Sequence, residues 1–224
     1  MPEKFSGKSD FKRDTSYWNL YYQKTGELTK PSRFARFVRA NYLTEGSSLL
    51  ELGCGNGRDS LFFAAQGLKI TAVDASDYAI TELAQRNVAN AEFICGDFVE
   101  SDLIYARQYD FCYSRFSLHA INAAQEDLLL HNVKNSLKSG GKFFIEVRSV
   151  NDDLFGKGTP VTFEGKLVKN SFINDGHFRR FIDKAELEEN LSAKGFKIEY
   201  SEENTGFAPL GAQDPPVIRV VAGV

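Results

Sequence analysis

From residue 47 onward, short apolar runs alternate with longer segments in which apolar residues recur at helical spacing. The apolar runs end at glycine or polar residues, as buried strands do. They predict strands at Ser48–Leu52, 70–73, Ala91–Cys95, 111–113 and 142–147. Strands that alternate with helices in this way predict a parallel sheet with helices on both of its faces.

The segments between these strands predict helices over residues 58–66, 79–86 and 126–137. In the first of them, Leu61 and Ala65 recur at helical spacing, and Gly67 follows as a stop. A later helix is predicted over residues 183–195, with Asp183 as its N-cap and Gly195 as its C-terminal stop.

The two ends of the chain depart from this alternation. Residues 151–181 have turn formers and bulky side chains without a sustained period, so we predict an irregular insertion with a short strand pair around residues 161–172. The last two strands are expected at 196–200 and 217–222. The aromatic residues of 14–37, with a helix led by Pro31, predict a helical cap. The expected division is a cap at 1–46, a core at 47–150, an insertion at 151–182 and a C-terminal part at 183–224, all within one domain.

Composition and charge limit the classes of function. The 224 residues are 42% hydrophobic and 25% charged, with a net charge of −3 and a pI near 5.7. This balance provides no general field for nucleic acid, and no apolar run approaches the ~20 residues that span a bilayer. Residues 1–13 lack the apolar core of a secretion signal. We therefore expect a cytoplasmic protein that acts neither on nucleic acid nor at a membrane.

The three cysteines, Cys54, Cys95 and Cys112, lie in or beside apolar stretches. An odd number of cysteines in a reducing compartment does not indicate a disulfide framework. We interpret all three as small buried hydrophobic side chains and expect no metal site.

A glycine-rich turn follows the first predicted strand. Residues 51–57 place glycine at 53, 55 and 57, directly before an amphipathic helix, so a ligand can approach the backbone closely. About twenty residues later, Asp74 ends the second strand, where a carboxylate can accept from ribose hydroxyls. Asp97 ends the third strand and could accept from an adenine amino group, with Phe98 against the ring. These positions predict a nucleoside-type ligand at the carboxyl edge of the sheet.

With the acidic residue Glu51 before Gly53, Gly55 and Gly57, and with Asp74 closing the second strand, the sequence resembles the class I S-adenosylmethionine (AdoMet) dependent methyltransferases. The resemblance implies a Rossmann-like doubly wound α/β sheet of seven mostly parallel strands, the last of them antiparallel. It implies AdoMet as cofactor and S-adenosylhomocysteine as product. The expected cofactor contacts are Tyr17, Trp18, Tyr22, Arg33, Glu51, Gly53, Cys54, Gly55, Asn56, Arg58, Asp59, Asp74, Ala75, Ser76, Gly96, Asp97, Phe98, Ser114 and Arg115.

A nicotinamide-dependent dehydrogenase is the main alternative, since a ribose-binding acid suits it too. Dinucleotide binders typically space the glycines as Gly-x-Gly-x-x-Gly, whereas residues 53–57 read Gly-x-Gly-x-Gly. Arg58 and Asp59 at the start of the helix also suit a zwitterionic amino acid better than a bare diphosphate. The sequence favours a methyltransferase.

Cationic side chains follow the later strands of the predicted sheet and define a candidate acceptor site: Arg115, His119, Arg148, His177, Arg179 and Arg180. Guanidinium groups pair with phosphate and carboxylate in bidentate fashion, so this set predicts an anionic small-molecule acceptor. If the acceptor is instead a hydroxyl or an amine, His119 is the best candidate for a general base. The residues alone do not decide between these chemistries.

A narrower resemblance supports the anionic reading. Residues 16–22, 31–35, 55–60, 114–120, 148–158, 179–181 and 214–219 look like a bacterial group of methyltransferases associated with surface-polysaccharide assembly. This resemblance implies methyl transfer to an oxygen of a phosphorylated or carbohydrate-type acceptor. Two alternatives stay open, an enzyme acting on a neutral sugar or an amine and an AdoMet-binding module without turnover.

Overall fold

The computed structural model describes residues 8–25, 30–174 and 176–224. Within these ranges, seven strands form one sheet in the order β3-β2-β1-β4-β5-β10-β9. The bounds of these strands are β1 Ser48–Leu52, β2 Lys69–Asp74, β3 Ala91–Cys95, β4 Tyr109–Arg115, β5 Leu137–Arg148, β9 Lys197–Asn204 and β10 Val217–Gly223. Residues 1–7 and 26–29 of the expected cap, and Asp175 of the expected insertion, lie outside the described residues.

The directions of the strands confirm the predicted fold class. Each neighbouring pair among β1 to β5 is parallel, while β10 runs antiparallel to both β5 and β9. The order reverses between β1 and β4, because β1 leads through a helix to β2 on one side and pairs with β4 on the other. Ligands of doubly wound sheets bind in the crevice at such a reversal. The predicted glycine turn, after β1, therefore lies at this crevice.

Helices cover both faces of the sheet. Their bounds are α1 Lys8–Thr25, α2 Arg33–Asn41, α3 Arg58–Ala65, α4 Asp77–Ala84, α5 Asp102–Tyr105, α6 Ala123–Ser136 and α7 Lys184–Ala193. On one face, side chains of α5, α6 and α7 pack in a single core, with Leu129 and Leu187 fully buried. On the other, α2, α3 and α4 form a second core that includes Phe34, Phe63 and Leu83.

Several helix starts differ from the prediction because polar caps fix them. The helix expected from Pro31 begins at Arg33, since the Ser32 hydroxyl accepts from the Ala35 N–H. Helix α4 begins two residues before the predicted position, after Ser76, whose side chain caps Ala79. Helix α6 begins three residues early, behind a capping box of Asn122 and Gln125. Asp183 is the N-cap of α7, as predicted.

The insertion is more regular than predicted. The expected strand pair exists as β6 Thr159–Phe163 and β7 Lys166–Asn174, and a third strand, β8 His177–Arg180, pairs with β7. The three form a small antiparallel sheet. A segment as short as β8 has too few residues to show alternation, so no pattern of residues predicted this strand.

The expectation that all three cysteines are buried is wrong for Cys95, which is exposed on the edge strand β3, whereas Cys54 and Cys112 are buried. All three are free thiols. In the described ranges, no helix combines the length and apolarity needed to cross a bilayer.

Candidate active site

The glycine turn after β1 has the backbone that its sequence requires. Gly53, Gly55 and Gly57 all have positive φ, at 71°, 54° and 73°, a region in which other residues are strained. A Cβ at Gly55 would overlap the Tyr22 hydroxyl, and one at Gly53 would lie 2.8 Å from the Ser117 Cβ. Space and backbone conformation together therefore restrict this turn to glycine.

Asp74 connects the glycine turn to the end of β2. Its Oδ2 accepts from the Gly55 N–H at 2.7 Å, and its Oδ1 accepts from the Ser76 N–H at 2.8 Å. The carboxylate is 7% exposed and faces the cavity between the two segments. It therefore holds the turn in shape and presents negative charge to whatever occupies the cavity.

Three buried carboxylates line the same part of the cavity: Glu51, Asp59 and Asp74. Burial raises the pKa of Asp74, and burial with the nearby Asp59 raises the pKa of Glu51 well above its usual range. Arg58 lies 3.4 Å from Asp59 and is one cation among three acids. Further donors to these acids, such as Ser32 and Ser60, are neutral, so the wall keeps an excess of acidic groups and fits a positively charged ligand. The ammonium and sulfonium groups of AdoMet meet that requirement.

Helix α1 contributes an aromatic wall. Tyr17, Trp18 and Tyr22 line the cavity, and the Tyr17 ring stacks on the His177 ring at 4.2 Å. Asn19 attaches the helix to the core, because its amide donates to the Asp77 carboxylate at 2.6 Å and its oxygen accepts from the Ser76 hydroxyl at 2.6 Å. The predicted cap over the cofactor crevice thus contains α1.

Cations line the cavity beyond β4, β5 and β8. The Arg115 Nε donates to Glu146 at 2.7 Å, and Arg148 pairs with Asp152. Arg179 Nη2 lies 3.0 Å from the His177 Nε2.

His119 is held neutral in this wall. Burial lowers its pKa well below the usual range, and the nearby charges of Arg148 and Arg179 lower it further. Its side chain is 5% exposed and its Nδ1 has no hydrogen-bond partner among the described residues. A neutral imidazole can accept a proton, but the lowered pKa also makes His119 a weaker base than an exposed histidine.

One cavity of about 340 Å³ brings most of the predicted residues together. Of the predicted cofactor residues, those that line it are Tyr17, Trp18, Tyr22, Glu51, Gly53, Cys54, Gly55, Asn56, Arg58, Asp59, Asp74, Ala75, Phe98 and Arg115. Of the predicted acceptor residues, those that line it are Arg115, His119, Arg148, His177 and Arg179. This volume is within the range of small-molecule sites, about 300–1,000 Å³.

Other predicted residues lie outside the cavity wall. Arg33 donates to the Gly206 carbonyl, Ser76 caps α4, and Ser114 bonds the Ser117 hydroxyl. Gly96 and Asp97 also lie outside the cavity lining, and Asp97 accepts from the Val99 N–H. Their contact with the cofactor stays a prediction.

Arg180 requires a correction. It is 7% exposed, bonds the Ile121 carbonyl and pairs with Glu126 on α6, away from the cavity. Successive side chains of a strand point to opposite faces, so β8 places Arg179 in the cavity wall and turns Arg180 into the core. The expectation that Arg180 belongs to the acceptor site is therefore wrong, because its side chain does not line the cavity.

The sequence analysis missed a second set of lining residues: Tyr21, Thr25, Phe116, Ser117, Ala120, Ala208, Pro209, Leu210, Gln213 and Pro215. The last five belong to the loop of residues 205–216 between β9 and β10. Its prolines indicated a loop, but nothing in its pattern indicated contact with the crevice. Phe116 follows the predicted Arg115, and its φ of 57° is unusual for a residue other than glycine.

Comparison with known proteins agrees with this geometry. Residues 49–141 match the model of a methyltransferase domain family. An uncharacterised methyltransferase of Synechocystis is 29% identical over 102 residues, 45% of this chain and 47% of that protein. The cypemycin N-terminal methyltransferase of Streptomyces is 30% identical over 122 residues, 53% of this chain and 49% of that protein. The chain thus spans about half the length of these relatives.

A solved structure extends the likeness to the whole fold. The 1,6-didemethyltoxoflavin N1-methyltransferase of Burkholderia thailandensis, with 1,6-didemethyltoxoflavin and S-adenosylhomocysteine bound, superposes with a TM-score of 0.74 at 20% identity. The match covers 100% of this chain and 92% of that one. The chain therefore shares the fold of that structure, and its residues 49–141 match a methyltransferase domain.

Proposed function

We propose that this protein transfers a methyl group from AdoMet to an oxygen of a small anionic acceptor of the phosphorylated or carbohydrate type. The observation that carries the proposal is the charge of the cavity lining. Carboxylates follow β1 and β2, and guanidinium and imidazole groups follow β4, β5 and β8, within one cavity. Such a lining favours a cationic ligand beside an anionic one.

The reaction removes charge. AdoMet supplies an electrophilic methyl carbon on a sulfonium; as the acceptor oxygen bonds to that carbon, the carbon–sulfur bond breaks and its electron pair neutralises the sulfur. A step in which opposite charges disappear is favoured wherever the protein excludes water from the reacting groups. The buried acids and arginines hold the two reactants without adding a charge to the reacting atoms.

The residues take distinct roles in this proposal. Glu51, Asp59 and Asp74 balance the positive charge of AdoMet, and the glycine turn lets it approach the backbone. Arg148 and Arg179 pair with the acceptor anion and fix its orientation, which is the main contribution a protein makes to an in-line transfer. An ionised phosphate oxygen needs no general base, so His119 would serve there as a hydrogen-bonding group.

A second candidate is transfer to an amine or a neutral hydroxyl. The neutral state of His119 favours it, because a base must be unprotonated before it accepts a proton. Two of the compared proteins are named for acceptors of other kinds, the N-terminus of cypemycin and the N1 position of 1,6-didemethyltoxoflavin. A turnover rate that falls as pH drops through the pKa of one histidine would support this candidate.

Matched acceptors separate the two candidates. Purified protein is incubated with AdoMet and with sugar phosphates, the same sugars without phosphate, and simple amines, and S-adenosylhomocysteine is measured. We expect turnover with phosphorylated acceptors at least about tenfold above that with their neutral counterparts, as for the loss of one charge-assisted contact. Preference for the neutral sugars or amines would contradict the proposal.

A variant pair tests the role of the cationic wall. Arg148→Met should raise the acceptor Michaelis constant and leave the dissociation constant of AdoMet unchanged. Arg36→Met is the control, since Arg36 is exposed on α2 away from the cavity and its loss removes the same charge. An acceptor Michaelis constant that moves equally in both variants would argue against a specific contact.

The cytoplasmic location and the surface-glycan pathway stay predictions from the sequence.

A further inference from the structure

A row of alternating charges crosses the sheet beside the cavity. Arg115 on β4 is in register with Glu146 on β5, and Glu146 is in register with Arg219 on β10. Glu146 is 1% exposed and Arg219 is 5% exposed. Neither lines the cavity, whereas Arg115 does.

The central carboxylate joins the two guanidinium groups. Glu146 Oε1 accepts from the Arg115 Nε at 2.7 Å, and its Oε2 accepts from the Arg219 Nε at 2.7 Å. Within the described part of the chain, the Arg115 side chain hydrogen-bonds through Nε alone. Its terminal nitrogens therefore stay available to the cavity, while Glu146 fixes the plane of the guanidinium.

Arg219 also holds the loop of residues 205–216. Its Nη2 donates to the Phe207 carbonyl at 3.0 Å, and its guanidinium carbon lies 4.1 Å from the centre of the Phe207 ring. The residues that follow Phe207, among them Pro209 and Leu210, form a wall of the cavity. One buried arginine thus bonds both the wall-forming loop and the carboxylate that orients Arg115.

We infer that Glu146 and Arg219 are positioning residues for the acceptor. They act through Arg115 and the 205–216 loop and hold these two parts of the cavity wall in a fixed position relative to each other. Resting on the proposed function, this inference assigns acceptor recognition to two residues outside the cavity. Burying three charges is costly, and such networks are kept where they define a geometry. The acids Glu51, Asp59 and Asp74 are held by other groups, Ser60, Ser32 and Gly55, so we expect AdoMet to bind without this row.

The test uses Glu146→Gln and Arg219→Lys in the full chain. In Glu146→Gln an amide N–H would face a guanidinium donor, and in Arg219→Lys the charge stays but the paired geometry is lost. Three quantities are measured: the dissociation constant of AdoMet, that of inorganic phosphate in the S-adenosylhomocysteine complex, and amide hydrogen exchange of residues 205–216. Glu199→Gln is the matched control. Glu199 on β9 pairs with Lys142 on β5, and this pair also spans β10 but lies farther along the strands, beside Gly223 and away from Arg219.

We expect phosphate affinity to fall at least about tenfold in both variants, with AdoMet affinity within about twofold of wild type. Loop exchange should accelerate in both, including Glu146→Gln, although Glu146 does not touch the loop. Glu199→Gln should change none of these. Unchanged loop exchange and phosphate affinity in folded Glu146→Gln or Arg219→Lys would overturn the inference. If wild type binds no phosphate, the proposed anionic acceptor fails, and loop exchange in Glu146→Gln still decides this inference alone.

Discussion

At the scale of single residues, the acids of the cofactor wall link ligand binding to pH. Burial raises the pKa of Asp74 and of Glu51 above their ordinary values of 3.8 and 4.5. A carboxyl with a raised pKa in the folded protein favours folding while it is protonated, and that contribution is lost as pH rises through the raised value. In the ligand-free protein, protonation of Asp74 and Glu51 at low pH therefore does not lower the free energy of unfolding.

AdoMet binding should depend on pH in the opposite sense. Its positive charge favours ionised Asp74 and Glu51, so binding releases protons and the affinity should fall as pH is lowered from about 8 to about 5. Calorimetry in two buffers of different ionisation enthalpy measures both the affinity and the protons released. A flat affinity over this range without proton release would show that these acids do not face the cofactor.

The glycine turn permits a second prediction at this scale. Gly55→Ala would strain a positive φ and push into the Tyr22 hydroxyl, whereas Gly46→Ala would strain a φ of 82° with nothing within 4 Å. Both variants should lose about 1 kcal/mol of unfolding free energy from the backbone alone. Only Gly55→Ala should also weaken AdoMet binding, measured by calorimetry. Equal AdoMet affinities in the two variants would show that the glycine turn does not contact AdoMet.

At this scale the sequence could predict those site residues whose places follow from a short motif in the chain. Glycine at 53, 55 and 57 and the acids Glu51 and Asp74 are specified by neighbours in the chain, so their places in the cavity could be predicted. The separation of Arg179 from Arg180 could not, because it depends on a strand too short to show alternation.

At the scale of elements, the side chain of Asn19 attaches α1 to the core through hydrogen bonds. Asn19 makes two of them, one to Ser76 and one to Asp77. Asn19→Ala should speed hydrogen exchange in α1 and raise the dissociation rate of AdoMet about two- to tenfold, since each bond contributes about 1 kcal/mol. Gln23→Ala, at an exposed position on the same helix, is the control. Identical dissociation rates in both variants would mean that α1 does not retain the cofactor.

Most elements of the sheet could be predicted, because buried strands and amphipathic helices leave a periodic pattern. The helix starts were less accurate, since side-chain caps such as Ser76 and Asn122 lie outside the apolar period. The 205–216 loop could be predicted as a loop only. Arg33 and Arg219 both donate to its backbone carbonyls from distant parts of the chain, and no local pattern encodes such contacts.

At the scale of the whole molecule, the small sheet of the insertion bonds to the core through Arg180. Arg180→Met should remove the cationic partner of the buried Glu126, which keeps only the Asn190 amide, and lower the free energy of unfolding by about 3 kcal/mol. Lys169→Met breaks an exposed pair with Glu186 and should cost less than about 1 kcal/mol. Chemical denaturation measures both. If Arg180→Met keeps the stability of wild type but loses turnover, Arg180 acts at the acceptor site after all.

We propose that the glycine turn, Asp74 and the acidic wall together bind one AdoMet molecule. The most direct measurement is calorimetric titration of AdoMet into wild type and into Asp74→Ala, with folding of both checked by circular dichroism. We predict one site per chain in wild type and an affinity at least about tenfold weaker in the variant, since a buried charged contact and a support of Gly55 are lost together. Equal affinity in the two proteins, or no binding to wild type, would contradict the account.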